Sequence, residues 1–131
     1  MFYDTPGTER LHSMVEAYYK KANAILLIYD ISNKKSFEDL KYYFVPKIED
    51  YCKEDIPIML LGNKADKENE RKVSTEEGAA LAVEYKFKFK ETSCLKNENV
   101  AEAFKVLFEM GIDKYQKKFK NNYKLNKYKN F

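Results

Sequence analysis

A small polar cluster closes an apolar run at residues 56–66, which read IPIMLLGNKAD. An aspartate carboxylate such as that of Asp66 accepts two neighbouring hydrogen-bond donors at once, in the bidentate geometry that makes such bonds strong. Guanine offers this donor pair in its N1–H and 2-amino groups, whereas adenine lacks the pair and would leave the carboxylate unpaired. We therefore predict that Asp66 recognises a guanine base, with the Asn63 amide tying loops together and the Lys64 stem lying against the ring.

Three stretches are predicted to form the strands that position this cluster. Residues 22–32 and 56–62 are short aliphatic runs that end in polar residues, which is typical of buried strands. Residues 86–93 alternate between polar and apolar types, which predicts a strand at a sheet edge with Phe87 and Phe89 facing the core.

Helices are predicted between and after these strands. Apolar residues recur every three or four positions over residues 36–51, and Pro46 should kink the helix that they form. Ser74, followed by two acidic residues, predicts a helix that runs to about residue 85. A last long helix, which Asn97 or Asn99 can cap, has a predicted core face of Val100, Ala103, Phe104, Leu107, Phe108 and Met110 or Gly111.

The alternation of strands and helices predicts an α/β fold with a mostly parallel sheet and helices on both faces. Ligands of such sheets bind at the carboxyl ends of the strands. Three loops fall at that end: one after Asp30, one at residues 63–66 and one at residues 92–95. The predicted site therefore lies where this architecture binds ligands.

The composition of the 131 residues fits one intracellular globular domain. No apolar stretch approaches the roughly 18 residues of a membrane span, and the N-terminus does not resemble a signal peptide. Cys52 and Cys94 lie far apart without metal-ligand spacing, which predicts two free thiols in a reducing, cytoplasmic compartment. A net charge of +3 is too small to indicate a nucleic-acid partner.

Three short motifs resemble those of the small GTPases of the Ras superfamily, most closely of its Rab branch. DTPG at residues 4–7 resembles the DxxG motif, NKAD at residues 63–66 the NKxD motif, and ETSCL at residues 91–95 the ETSAK motif. The gap of roughly 60 residues between the first two motifs also fits the family. The resemblance predicts a partial G domain over residues 1–113, followed by a Lys/Asn-rich basic tail or helix extension over residues 114–131.

The resemblance implies a role in base binding for five residues. Asn63, Lys64 and Asp66 would contact guanine, Ser93 would steady Asp66, and the Cys94 amide would donate to guanine O6. The ligands implied are GTP or GDP with Mg²⁺. The partners implied are effector or regulator proteins, with a function in vesicle traffic or signalling.

The resemblance also implies a phosphate side to the site. Asp4 would reach Mg²⁺ through water, and the Gly7 amide would bond the γ-phosphate at the start of the second switch segment. Thr8 stands where the family has the glutamine that orients the attacking water. Because a threonine hydroxyl is shorter than an amide and cannot replace it, we expect slow hydrolysis and assign no catalytic residue.

The sequence contains no GxxxxGK[ST] run, which in this family grips the phosphates. In the family this loop, the first two strands and the first helix all come before the DxxG motif, and the resemblance implies a further strand that ends at Tyr3, directly before that motif. We therefore expect an incomplete, N-terminally truncated G domain of the P-loop NTPase fold that binds GTP weakly. The alternative is a nucleotide-free, GTPase-like interaction module whose partner pairs with the bare edge of the strand at residues 22–32.

The segment after Asp113 holds seven lysines and no acidic residue. Tyr115, Phe119 and Tyr123 recur at every fourth position, so the segment could extend the last helix as a basic amphipathic surface with weak affinity for membranes. The alternative, which the composition favours, is a disordered tail that the lysines solvate. No cysteine follows Cys94, so the prenyl anchor usual in Rab proteins is not expected.

Overall fold

The sheet consists of three parallel strands in the order β1-β2-β3. In the computed structural model, which describes residues 1–5, 12–52 and 56–129, the strands are β1 (Ile25–Asp30), β2 (Ile58–Asn63) and β3 (Lys88–Glu91). The register pairs Asp30 with Asn63 and Gly62 with Glu91, so the three strands end at one edge. The three predicted strands are confirmed, and β3 lies at the edge of the described sheet as expected.

Helices precede, join and follow the strands. Their bounds are α1 (His12–Lys21), α2 (Lys34–Asp39), a π-helical turn (Leu40–Phe44), α3 (Val45–Tyr51), a 3-10 segment (Ala65–Glu70), α4 (Thr75–Tyr85) and α5 (Val100–Lys129). Ser74 caps α4 as predicted: its hydroxyl accepts from the Glu77 N–H, and the Glu77 carboxylate accepts from the Ser74 N–H.

Alternate residues of β2 enter two separate hydrophobic clusters. Met59 and Leu61 pack with Ala103 and Leu107 of α5, whereas Leu60 joins the cluster formed with helices α1 to α4. Because successive residues of a strand point to opposite faces, α5 covers one face of the sheet and the other helices cover the second. The predicted α/β fold with helices on both faces is confirmed.

The helical connection after β1 changes its winding just before Pro46. The Val45 N–H bonds to the Leu40 carbonyl five residues back, which closes the π-helical turn. Pro46 lies in the first turn of α3, directly after this π-helical turn, and it has no backbone N–H to donate to the preceding turn. The predicted helix over this range is confirmed, with a wider turn just before Pro46, and the predicted kink stays a prediction.

Two glycines make room for the ring of Tyr29, which is 1% exposed. A Cβ on Gly62 would lie 2.8 Å from the Tyr29 hydroxyl oxygen. A Cβ on Gly78 of α4 would meet the same hydroxyl and would lie 2.7 Å from the Phe89 ring. These glycines therefore let α4 approach the sheet closely around a buried tyrosine.

The first five residues form no strand, so the expectation of a strand ending at Tyr3 is wrong. A strand needs a hydrogen-bonded neighbour, and among the described residues none pairs with the outer edge of β1. Phe2 instead packs edge-on against Phe104 and Phe108 of α5, with ring centroids 6.0 and 5.6 Å away.

Helix α5 continues without a break past residue 113 to Lys129, so the basic segment is a helix extension over this range. Asn99 lies before the helix: its carbonyl accepts from the Ala103 N–H, and its side-chain amide donates to the Glu91 carbonyl at 2.9 Å. Ala103 and Leu107 are buried as predicted, but Phe108 of the predicted core face is 49% exposed. Within the described ranges, no helix has the length and apolar character needed to cross a membrane.

Replacing Gly78 by alanine and replacing Gly111 by alanine should change the stability of the fold in opposite directions. Gly78→Ala should destabilise the fold by about 1 to 3 kcal/mol, because the new methyl group overpacks Tyr29 and Phe89. Gly111→Ala should stabilise it by about 0.5 to 1 kcal/mol, because Gly111 faces open space and alanine favours the helix. Urea unfolding followed by circular dichroism measures both, and an equal gain in both variants would contradict the packing described for α4.

Candidate functional site

The candidate site lies at the carboxyl edge of the sheet, where the loops after β2 and β3 are hydrogen-bonded to each other. The Thr92 N–H donates to the Gly62 carbonyl at 2.9 Å, and the Ala65 N–H donates to the Thr92 carbonyl at 3.0 Å. These bonds continue the β2–β3 pairing beyond the strands. They bring residues 63–66 beside residues 92–95, as the position of both loops in the sequence predicts.

The Asp66 carboxylate is held by Ser93. The Ser93 hydroxyl donates to Asp66 Oδ1 at 2.5 Å and accepts from the Lys96 N–H at 3.1 Å. Ser93 itself is fully buried, and its backbone exchanges two hydrogen bonds with Glu98. Because one carboxylate oxygen is fixed from behind, the half-buried Asp66 has its second oxygen available for a ligand.

Asn63 ties the end of β2 to the loop after β3. Its Oδ1 accepts from the Thr92 hydroxyl at 3.2 Å and from the Cys94 thiol at 3.6 Å. Thr92 is buried and Cys94 is exposed. The structure therefore brings together Asn63, Asp66, Ser93 and Cys94, all of which the sequence singled out.

Lys64 lies at a strained position and reaches back to the end of β1. Its backbone is left-handed (φ 64°, ψ 38°), which is uncommon for a residue other than glycine. Its ammonium nitrogen lies 2.6 Å from Asp30 Oδ2, while Asp30 Oδ1 accepts from the Ser32 N–H at 2.8 Å and from the Ser32 hydroxyl at 2.6 Å. The hydrogen bond between Lys64 and Asp30 therefore connects the loop after β2 to the carboxyl end of β1.

The ionisation of Asp30 and Lys64 reflects this contact. Partial burial acts to raise the pKa of Asp30, but the hydrogen bonds from Lys64 and Ser32 and the charge of Lys64 outweigh burial, so this pKa lies below its ordinary value. The hydrogen bond to Asp30 and the Asp30 charge raise the pKa of Lys64. Both side chains are therefore held in their charged forms at neutral pH.

Arg71 forms ion pairs with Glu91 and Glu68 beside the site. Its guanidinium donates to both carboxylate oxygens of Glu91, at 2.7 and 2.9 Å, and to the Glu68 carboxylate at 2.7 to 3.0 Å. The side chains of Arg71 and Glu91 are only 16% and 19% exposed. Hydrogen bonds from Arg71 to Glu91 and Glu68 raise its pKa above the ordinary value. The bridge joins the segment after Asp66 to the strand that leads to Ser93.

Asp30 and Arg71 belong to the site although neither was predicted to do so. Asp30 was predicted only as the end of a strand, although the spacing Asp-x-Ser is a local signal for the turn in which Ser32 donates to Asp30. Arg71 carries no comparable signal, because its partner Glu91 lies on a different element and only the tertiary structure brings them together.

The phosphate side of the predicted site is not assembled in the described residues. Gly7 and Thr8 lie outside these residues, and Asp4 is exposed and takes no part in the contacts around Asp66. No group of three His, Cys, Asp or Glu side chains among the residues described could hold a metal ion. Asp4 alone does not make a Mg²⁺ site.

A parallel α/β sheet that carries NKAD and ETSC loops at its carboxyl edge defines a partial small-GTPase domain. The model of the Ras family matches residues 1–113, and the chain belongs to this family.

Several proteins similar to this chain are Rab proteins. The chain is 41% identical to Ras-related protein Rab-8B of Homo sapiens over 120 residues, which are 92% of this chain and 58% of that protein. It is 42% identical to Ras-related protein Rab-8 of Diplobatis ommata over 120 residues, 92% of this chain and 57% of the relative. It is 47% identical to Ras-related protein Rab-37 of Homo sapiens over 102 residues, 78% of this chain and 45% of the relative. The chain therefore spans about half the length of these relatives and is Rab-like.

Asp30→Asn should make the stability of the fold depend less on pH in the acid range. Because the pKa of Asp30 is lowered in the folded state, its stabilising effect is present above its ordinary pKa of about 4 and is lost as the pH falls through the lowered value. The difference in unfolding free energy between wild type and variant should therefore shrink as the pH falls below about 4.

Asp39→Asn is the matched control for this experiment, because Asp39 makes an exposed pair with Lys35 four residues earlier on α2. Such surface pairs contribute little. Urea unfolding at a series of pH values compares the two variants, and a difference for Asp30→Asn that persists unchanged into strong acid would contradict the ion pair with Lys64.

Proposed function

We propose that this chain is the guanine-recognising part of a Rab-like small GTPase, a switch between GDP-bound and GTP-bound states in vesicle traffic. The observation that carries the proposal is the Asp66 carboxylate, which Ser93 holds at the carboxyl edge of a parallel sheet beside Asn63. The names of the Rab relatives support the assignment to vesicle traffic.

The base would be selected by the hydrogen bonds that Asp66 accepts from the guanine N1–H and 2-amino groups. Ser93 fixes the carboxylate before the ligand arrives, so little rotamer freedom is lost on binding. Lys64, held by Asp30, would lie along one face of the ring, and the Cys94 amide would donate to O6. Each hydrogen bond to the charged carboxylate would contribute about 1.5 to 3 kcal/mol.

We expect the 131-residue chain to bind GTP weakly. The sequence contains no GxxxxGK[ST] run, and base contacts of a few kcal/mol correspond to a Kd on the order of millimolar. In the complete form, a phosphate loop and Mg²⁺ would add the larger part of the affinity, with Asp4 and Gly7 on the phosphate side. Thr8 in the glutamine position would keep hydrolysis slow even then.

A second candidate function is a GTPase-like interaction module that does not turn over nucleotide. The observation that favours it is the outer edge of β1, which has no pairing strand among the described residues, together with Ile28, which is 52% exposed. Such an edge is a template for a strand from a partner. Effector or regulator proteins are partners expected under either function.

We also infer a cytoplasmic location with weak, reversible attachment to membranes. The support is the charge after Asp113, where seven lysines and no acidic residue attract anionic surfaces. No nucleic-acid partner is proposed.

Asp66→Asn should abolish measurable binding of GMP. The amide nitrogen of asparagine is a donor, so it would face the donors of guanine and weaken binding by at least about tenfold. Two-dimensional NMR titration of the chain with GMP measures the affinity. Glu70→Gln, an exposed change on the same 3-10 segment, is the matched control and should bind as wild type.

Two outcomes would contradict the proposal in different ways. Equal GMP affinity in Asp66→Asn and wild type would show that Asp66 does not recognise the base. Micromolar or tighter GDP binding by the 131-residue chain, measured by calorimetry with Mg²⁺, would show that the phosphate loop is not needed for strong binding.

A further inference from the structure

The Arg71 guanidinium uses all of its N–H groups within the protein. Its Nε and Nη2 donate to the Glu68 carboxylate at 2.7 to 3.0 Å. Its Nη1 and Nη2 donate to the two carboxylate oxygens of Glu91 at 2.7 and 2.9 Å, and Nη1 also donates to the Val73 carbonyl at 3.0 Å. These bonds occupy every N–H of a guanidinium, so none remains for a ligand. Arg71 can therefore act on a ligand only through the residues that it holds.

The two acidic partners of Arg71 lie on the two loops that form the candidate site. Glu68 follows Asp66 on the same 3-10 segment, and Glu91 ends β3 directly before the loop that carries Ser93. One side chain thus connects the backbone that carries the Asp66 carboxylate to the backbone that carries the hydroxyl holding it. The Ser93–Asp66 hydrogen bond needs these two loops at a fixed spacing, and Arg71 sets that spacing from behind the site.

Glu91 is held on further sides as well. Its carboxylate accepts from the Thr75 hydroxyl at 3.2 Å, and its carbonyl accepts from the Asn99 amide at 2.9 Å. Thr75 begins α4 and Asn99 precedes α5, so Glu91 connects the end of β3 to the start of both helices. The Arg71 fork supplies the only countercharge among these contacts, and a mostly buried carboxylate that loses its countercharge is destabilised.

The role of Arg71 depends on its shape as well as on its charge. Lysine carries the same charge, but as a compact ammonium without the planar fork that pairs with a carboxylate through two parallel hydrogen bonds. A lysine at this position could neutralise one carboxylate and could not hold Glu68 and Glu91 in the present geometry. Arg71→Lys therefore separates a positioning role from a purely electrostatic one.

We propose that Arg71 is a positioning residue for guanine recognition, which holds Glu68 and Glu91 together so that Ser93 presents the Asp66 carboxylate in one orientation. The inference rests on the proposed function and adds how the selectivity for guanine is maintained. Two hydrogen bonds made at once depend on the plane of the carboxylate. Loss of the fixed spacing should therefore reduce selectivity among purines as well as affinity.

Arg71→Lys should weaken GMP binding by about threefold to tenfold, because the two loops are no longer held at one spacing. The preference for GMP over IMP should shrink in the same variant, since the bond to the 2-amino group depends most on the orientation of the carboxylate. Two-dimensional NMR titration with each nucleotide measures both effects. Adding Glu91→Gln to Arg71→Lys should weaken binding little further, because the bridge is already lost.

Lys67→Gln is the matched control, because Lys67 lies on the same 3-10 segment but makes an exposed ion pair with Glu70 at 3.6 Å. This variant should keep the affinity for GMP and the preference over IMP of wild type. Urea unfolding of each variant sets conditions in which the chain is folded, so a loss of affinity is not a loss of the fold.

Amide hydrogen exchange tests the positioning without any nucleotide. The Ala65 N–H donates to the Thr92 carbonyl and the Lys96 N–H to the Ser93 hydroxyl, so both amides report on the contact between the loops. In Arg71→Lys these two amides should exchange at least about threefold faster relative to the amides within β2, which report on the stability of the sheet.

The outcomes separate this inference from the proposed function. If Arg71→Lys binds GMP as wild type does, with the same preference over IMP, Arg71 is not a positioning residue and recognition by Asp66 stands. If affinity falls while the preference and the relative exchange of Ala65 and Lys96 stay unchanged, Arg71 contributes only to stability, which also overturns the inference. If wild type itself shows no preference for GMP, the proposed function and the inference that rests on it both fall.

Discussion

The parallel register of the three strands is the constraint on which the rest of the structure depends. It pairs Asp30 with Asn63 and Gly62 with Glu91, and it thereby brings three loops to one edge. The same register sends Leu60 to one hydrophobic cluster and Met59 and Leu61 to the other. A shift of β2 by one residue would exchange its faces and separate the loops, so the core and the candidate site are specified together.

The candidate site is held by contacts between loops rather than by any single element. Ser93 fixes Asp66, Asp30 holds the strained Lys64, and Arg71 joins Glu91 to the segment after Asp66. Each contact orders a side chain before a ligand arrives, which lowers the entropy lost on binding. The bridge between Arg71 and Glu91 is bidentate and mostly buried, so it is stiffer than an exposed ion pair.

Local sequence patterns predicted the helices and strands. They did not predict the contacts between residues that lie far apart in the sequence. Ser74 acts within one helical turn, so its effect could be read from neighbouring residues. The roles of Asp30 and Arg71 depend on partners on other elements, which no pattern in the sequence connects. The predicted strand at Tyr3 failed because it rested on the resemblance and on a neighbouring strand that the described residues lack. The extension of α5 was one of two alternatives, and the run from Ile112 to Lys129 contains no glycine or proline that would end a helix.

Comparison of three nucleotides on the unmodified protein tests the central claim most directly, because it removes donors from the ligand and leaves the fold untouched. The Asp66 carboxylate requires both the N1–H and the 2-amino group of the base. NMR titration with GMP, IMP and AMP should therefore give detectable binding of GMP, binding of IMP weaker by about tenfold, and no measurable binding of AMP. Equal affinities for the three would contradict recognition of guanine at this edge of the sheet.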